Sequence, residues 1–160
     1  ASPKPKKILD LKTIDALLDA GVIPIACGGG GIPVLHGANG HWTGVPAVID
    51  KDLTSAMLAA HLHADALIML TGVDRVALDF NKPTQRWLDH MSLAQARDYS
   101  AQGQFPAGSM GPKIDAAMSY LQELPNANHE GEVIITSLEQ AYEALMGRAG
   151  THITMQAPAP

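Results

Sequence analysis

Residues 66–74 read Ala66-Leu67-Ile68-Met69-Leu70-Thr71-Gly72-Val73-Asp74, an apolar run that stops at a Thr-Gly turn. A strand exposed on one face alternates apolar with polar residues. One that is apolar at every position is covered on both faces, as in a parallel sheet. The stretch before it, Leu53 to His63, is rich in Ala, Leu and Met and follows the acidic Asp50 and Asp52, which is helix chemistry. A helix followed by a buried strand is the repeating unit of an α/β fold, and the alternation continues in both directions.

Towards the N-terminus, Ile8, Leu11, Ile14, Leu17 and Leu18 recur at helical spacing ahead of Gly21, predicting a helix over residues 6–20. Val22 to Ala26 reads as a second buried strand ending in four glycines, Gly28 to Gly31, and Ala38-Asn39-Gly40 as a hairpin turn. Towards the C-terminus, Val76 to Phe80 reads as a short strand before the turn residues Asn81-Lys82-Pro83. Ser92 with Gln95 forms a capping box opening a helix to about Gln102, and Ser137 with Gln140 another opening a helix to about Gly147. Pro112 fits the first turn of a helix to Glu123, where its missing N–H has no partner to lose. Val133 to Thr136 and His152 to Met155 complete the strands. The expected architecture is a mainly parallel sheet sandwiched by helices, with ligands beyond the carboxyl ends of the strands.

Composition sets the outer limits. With 160 residues, 46% of them hydrophobic, the chain can bury one core and reads as one domain. A net charge of −5 without a basic patch argues against nucleic acid or an anionic membrane surface as partner, and no apolar run approaches the length of a bilayer span. The single cysteine, Cys27, has no disulfide partner, and no secretory signal stands at the start, so a cytoplasmic location is expected. The opening ASPKPKK resembles a linker within something larger, and Gln156 to Pro160 reads as a tail.

Three loops carry possible chemistry. Gly28 to Gly31 lets backbone N–H groups approach a phosphate, although neither common nucleotide fingerprint is present: there is no G-x-x-x-x-G-K-[ST], and Pro33 stands where G-x-G-x-x-G needs its third glycine. A plain flexible turn is the competing reading. Asp50-Lys51-Asp52 sets two carboxylates and an ammonium at a strand-to-helix junction. One carboxylate either caps the helix or orients a catalytic lysine, and Lys51 is either cationic help or solvated. Gly108-Ser109-Met110-Gly111-Pro112-Lys113 leads into a helix start, where free N–H groups, the helix dipole and an ammonium converge on one anion, unless Lys113 is a surface lysine. No metal site is assigned, since His61 and His63 stand two apart on a helix and face different ways. Cys27 reads as a structural thiol, and Trp42 and Trp87 as packing residues.

The blocks CGGGGIPV (Cys27 to Val34), AVIDKDLTSAMLA (Ala47 to Ala59), LTGVDRVALDFNKPTQ (Leu70 to Gln85), GQFPAGSMGPKIDAA (Gly103 to Ala117) and GTHI (Gly150 to Ile153) resemble, in order, those of carbamate kinases of the amino-acid kinase family. The resemblance spans nearly all of residues 2–153. It implies a three-layer α/β/α sandwich on a mainly parallel sheet, of which residues 1–155 are the nucleotide-binding C-terminal half. The implied reaction is ATP + carbamate ⇌ ADP + carbamoyl phosphate, with Mg²⁺ accompanying the nucleotide, in pathways such as arginine breakdown.

By the same resemblance Asp52 organises the catalytic lysines, Lys113 follows the transferring phosphoryl group, and Asp50 and Lys51 sit beside them. Thr71, Gly72, Val73, Val76 and Met110 line the nucleotide pocket together with the Ser109 to Gly111 turn, and Gly29, Gly30 and Gly31 lie near the phosphoryl acceptor. The family often has an aromatic residue where Ala77 stands. Its first glycine loop and early catalytic lysine have no counterpart here, so the resemblance also implies a missing N-terminal half, possibly a separate chain, and a homodimer in the intact enzyme. A non-catalytic nucleotide-binding fragment, a regulatory relative, and another acid kinase of the superfamily remain the alternatives.

Overall fold

The computed structural model describes residues 1–124 and 131–156. Of the tail expected at Gln156 to Pro160, residues 157–160 lie outside the described residues. In chain order the elements are α1 (Leu11–Asp19), β1 (Val34–His36), β2 (Trp42–Gly44), α2 (Lys51–His61), β3 (Ala66–Thr71), β4 (Val76–Leu78), β5 (Arg86–Leu88) and β6 (His90–Ser92). They continue with α3 (Leu93–Ala101), α4 (Met110–Glu123), β7 (Glu132–Ser137), α5 (Ala141–Leu145) and β8 (Thr151–Thr154).

The main sheet has four strands in the order β3-β7-β8-β6. β3 runs parallel to β7, with Ala66 opposite Glu132 and Thr71 opposite Ser137, and β6 runs parallel to β8, while β7 and β8 are antiparallel. Residues 66–71 thus form the expected strand, but at the edge of these four and covered on one face only: Leu67 and Met69 are buried, whereas Leu70 is exposed. Two ribbons stand apart from the sheet: the β1–β2 hairpin, turned at the expected Asn39-Gly40, and the antiparallel pair β4–β5.

Alternation along β7 divides the layers. Val133 and Ile135 join the main core with Leu67, Met69 and Ile153, against Ile114 and Tyr120 of α4. Ile134 and Thr136 point the other way and are equally buried. On that face α5 packs against β7, and Gly150 lies between Ala144 and Thr136. The result is an α/β/α sandwich with α2, α3 and α4 on one side. α2 and α4 meet through alanines, Ala56, Ala59 and Ala60 on one and Ala116 and Ala117 on the other, and such small side chains let helix axes approach closely. The buried Tyr120 hydroxyl donates to the Ala64 carbonyl and ties α4 to the loop entering β3.

Local signals held where local chemistry suffices. Ser92 and Gln95 form both arms of the capping box, at 3.1 and 2.9 Å. The second box is only half made: Gln140 N–H reaches Ser137 Oγ at 3.3 Å, and the helix that follows is the short Ala141–Leu145. α1 begins five residues later than expected, at Leu11, and α4 two earlier, at Met110. β5 and β6 were not expected, because Arg86 to Ser92 mixes polar and apolar residues without a period.

The largest correction concerns Val22 to Ala26. This run forms no strand; Ile23 is 91% exposed, Ile25 is fully exposed, and Ile32 and Leu35 nearby are exposed as well. An apolar strand of this kind needs strands on its flanks and layers on its faces, and among the described residues none is placed there. Leu17 and Leu18 of α1 are likewise uncovered, and only Ile14 of that helix is buried.

Candidate active site

The site is built on two helix starts. Asp50 precedes α2 with an extended backbone, and its Oδ1 accepts from the N–H groups of Asp52 at 2.8 Å and Leu53 at 3.1 Å, so Asp50 is the helix cap. That leaves Asp52, in the first turn, free for another partner. Its carboxylate receives Lys113 Nζ at 2.9 and 3.2 Å, a two-oxygen contact from the first turn of α4. Both residues are nearly closed to solvent, Asp52 at 8% and Lys113 at 9% exposed. Lys51, largely exposed, places its ammonium 3.5 Å from the same carboxylate.

This pair has no structural need to exist. A lysine in the first turn of a helix faces the positive end of the dipole, and two buried charges give back in attraction about what they lose in desolvation. An apolar pair of similar volume would hold α2 against α4 at least as well. A buried ammonium whose only described counter-charge is one shared carboxylate is, in contrast, well suited to meet an incoming anion.

The glycine run is fastened to the same place. Thr54 Oγ1 in α2 donates to Gly30 O at 2.9 Å and to Asp50 O at 3.0 Å. Gly30 has φ +131°, and a Cβ there would fall 2.0 Å from the Ile49 carbonyl oxygen. Only glycine lets the loop lie this close to the start of α2. Gly29 and Gly31 flank it on the exposed side. Cys27, at the head of the loop, is half-buried, and burial followed by the charge of Asp10 pushes its thiol pKa up, which disfavours the nucleophilic thiolate.

Ser109 and Met110, which open α4 one turn before Lys113, also line a cavity of about 210 Å³ with Thr71, Gly72 and Val73. The expected residues thus meet at the carboxyl end of β3. Val76 does not join them: it is fully buried in the core, its N–H bonded to Thr151 Oγ1 at 2.8 Å. Gly111 and Ser109 depart from expectation too. Both N–H groups are taken by the Pro106 carbonyl, at 2.9 and 3.2 Å, so they are not free for an anion, and the Ser109 side chain caps no helix N–H.

Sequence reading missed the aromatic wall. Phe80, Trp87 and Phe105 line the 210 Å³ cavity, and Trp87, read as a packing residue, is 47% exposed. Trp42, read the same way, is also half-exposed, edge-on to His36. The turn between β4 and β5 is set by Asp79 in a left-handed conformation, whose carboxylate accepts from Lys82 Nζ at 2.9 Å and Thr84 Oγ1 at 3.0 Å. These bonds hold its pKa below the ordinary carboxylate value, that from Lys82 contributing most. A second, larger cavity of about 550 Å³ adjoins, reached by Asp74, Arg75, Gln140 and Arg148 and sharing Trp87 as a wall. Among the described residues no three His, Cys, Asp or Glu side chains converge as a metal site, and no helix is long and apolar enough to cross a membrane.

With this geometry in view, residues 1–137 match the model of the amino acid kinase family. The chain belongs to that family. Family members among characterised proteins include carbamate kinase 2 of Staphylococcus aureus, 50% identical over 155 residues, which are 97% of this chain and 48% of that protein. The solved carbamate kinase from Giardia lamblia bound to AMP-PNP superposes with a TM-score of 0.88 at 40% identity, over 96% of this chain and 46% of that one. N-acetylglutamate synthase from Neisseria gonorrhoeae complexed with coenzyme A and N-acetyl-glutamate shares the fold at 22% identity, with a TM-score of 0.63 over 92% of this chain and 31% of that one. The chain therefore spans about half the length of the carbamate kinases it matches.

Proposed function

We propose that this chain is the nucleotide-binding half of a carbamate kinase, transferring a phosphoryl group between ATP and carbamate. The observation that carries the reading is the buried Lys113–Asp52 pair, placed between the glycine loop and a cavity that shares the first turn of α4. Phosphoryl transfer asks little covalent chemistry of a protein; it asks for positioning and for positive charge where negative charge spreads over the transferring group. Lys113 supplies that charge, Asp52 holds it in place, and the exposed Lys51 adds a second ammonium. A carbamate oxygen attacks the γ-phosphorus, the bond to the β–γ bridging oxygen breaks, and ADP leaves.

ATP enters as its magnesium complex, with phosphate oxygens as the metal's main ligands. Asp52 is occupied by Lys113, so no protein carboxylate is assigned to the metal. The reading also includes a partner, the remaining half of the protein, seated on the uncovered Val22 to Ala26 run. Its contribution explains how a half-site closes, since misplacement by an ångström already costs about a hundredfold in rate.

The test is ATP formation from ADP and carbamoyl phosphate by the longer protein that contains this chain. Lys113→Ala is expected to lower kcat by about 10²-fold or more while changing ADP affinity less. A kcat close to wild type would remove Lys113 from the mechanism. Nucleotide binding without turnover in the longer protein would favour a non-catalytic nucleotide-binding module instead.

A further inference from the structure

We propose that Trp87 is the stacking wall for the nucleotide's base, and that the base lies on the face of the indole turned to the 210 Å³ cavity. The proposal rests on the reading of this chain as a nucleotide-binding half and adds the residue that grips the base. The evidence begins with register. β4 and β5 pair antiparallel with Ala77 directly opposite Trp87, so both side chains leave the ribbon on the same face. Ala77 is one methyl group, which leaves the space beside the indole open, and both residues line the cavity.

A tryptophan 47% exposed at the wall of a concavity leaves a large apolar surface in water. Phe80 stands edge-on to it at 6.4 Å between ring centroids, which fixes the plane of the indole and leaves its face open. Aromatic faces of this kind stack on any base, because every base has a π-face. Phe105 and Met110 add apolar lining, the Thr71 and Ser109 hydroxyls and the backbone of Gly72 and Val73 add polar groups, and the one charged residue of the lining, Arg75, has its guanidinium paired with Asp89 at 3.1 Å. The larger cavity shares Gly72, Val73, Arg75 and Trp87 with it and adds Asp74, Gln140 and Arg148, a more charged surface that suits a base less well. Position along the chain agrees: Met110 on the cavity wall and Lys113 both stand in the first turn of α4, so the base site and the ammonium share one helix start.

The measurement is ADP binding to this chain by equilibrium dialysis, alongside inner-filter-corrected tryptophan fluorescence in a Trp42→Phe background, where Trp87 is the single tryptophan. ADP is expected to quench the emission. Trp87→Ala is expected to raise Kd about tenfold or more and Trp87→Phe to restore most of the affinity, with unchanged melting temperatures showing that the fold is intact. Ala77→Leu, which narrows the smaller cavity, is expected to weaken binding, and Gln140→Ala, which borders only the larger one, to leave it unchanged. Binding with no quench and no loss in Trp87→Ala overturns this assignment and leaves the proposed function standing. Weakening by Gln140→Ala but not by Ala77→Leu also overturns it, by placing the base in the larger cavity. Should ADP bind only the longer protein, the same variants are read there, and absence of ADP binding in both forms sinks both readings.

Discussion

Asp50 and Asp52 carry the same carboxylate two positions apart, and burial and geometry give them separate roles. Asp50 caps α2 through two N–H groups, whereas Asp52 faces α4 and Lys113. Asp50→Ala is therefore expected to lower stability by about 1 kcal/mol, seen as a lower melting temperature, with little change in the turnover of the longer protein. Asp52→Asn is expected to reverse that pattern, cutting kcat severely while the amide still occupies the space. The contrast checks the division of roles, since matching effects of both substitutions on melting temperature alone would make Asp52 structural too. The sequence placed both residues at the right junction and left open which was the cap. That choice depends on Lys113, sixty-one positions further on.

At the scale of elements, the ribbon of β4 and β5 shows how a local motif carries a remote surface. Its turn depends on the Asp79 carboxylate, which the Lys82 ammonium and the Thr84 hydroxyl hold below its ordinary pKa. A carboxyl group whose folded pKa lies below the unfolded one contributes stability above the unfolded value and loses it as pH falls through the folded value. The ribbon is thus expected to keep its order at neutral pH and to loosen only in acid, below the ordinary carboxylate range. Trp87 emission followed against pH in the Trp42→Phe background should show this transition, and Asp79→Asn should abolish it. A transition that persists in Asp79→Asn assigns the acid response to another group. The turn residues Asn81-Lys82-Pro83 were legible in the sequence, but the strand at Arg86 to Leu88 was not, because three residues, two of them exposed, have no apolar period to betray them.

For the molecule as a whole, the uncovered run at Val22 to Ala26 is the informative feature. Ile25 is fully exposed in this chain, so Ile25→Lys is expected to leave the melting temperature of the chain unchanged. In the longer protein, where the remaining half is proposed to cover this run, the same substitution buries an unpaired ammonium and is expected to destabilise by several kcal/mol. Thermal unfolding of both forms with and without the substitution decides the matter, and a neutral effect in both would show that nothing covers Ile25.

The sequence by itself determined what depends on near neighbours: the apolar runs of β3 and β7, the capping box at Ser92, and the hairpin at Asn39-Gly40. It also placed Asp52 and Lys113 among the site residues through their motifs, and the structure brings the two within hydrogen-bond distance. Only the tertiary structure decided that Asp50 and not Asp52 is the cap, that Val76 is core, that the Ser109 and Gly111 N–H groups are already spent on Pro106, and that Trp87 faces a cavity. Val76, Trp87 and the pairing of Asp52 with Lys113 turn on atoms that arrive from distant parts of the chain, whereas the Pro106 bonds and the Asp50 cap are local geometry that the residue types alone left open. The run at Val22 to Ala26 marks the same boundary from the other side. Its pattern predicts a buried strand, and a pattern of side chains cannot supply the neighbouring strands that such burial needs.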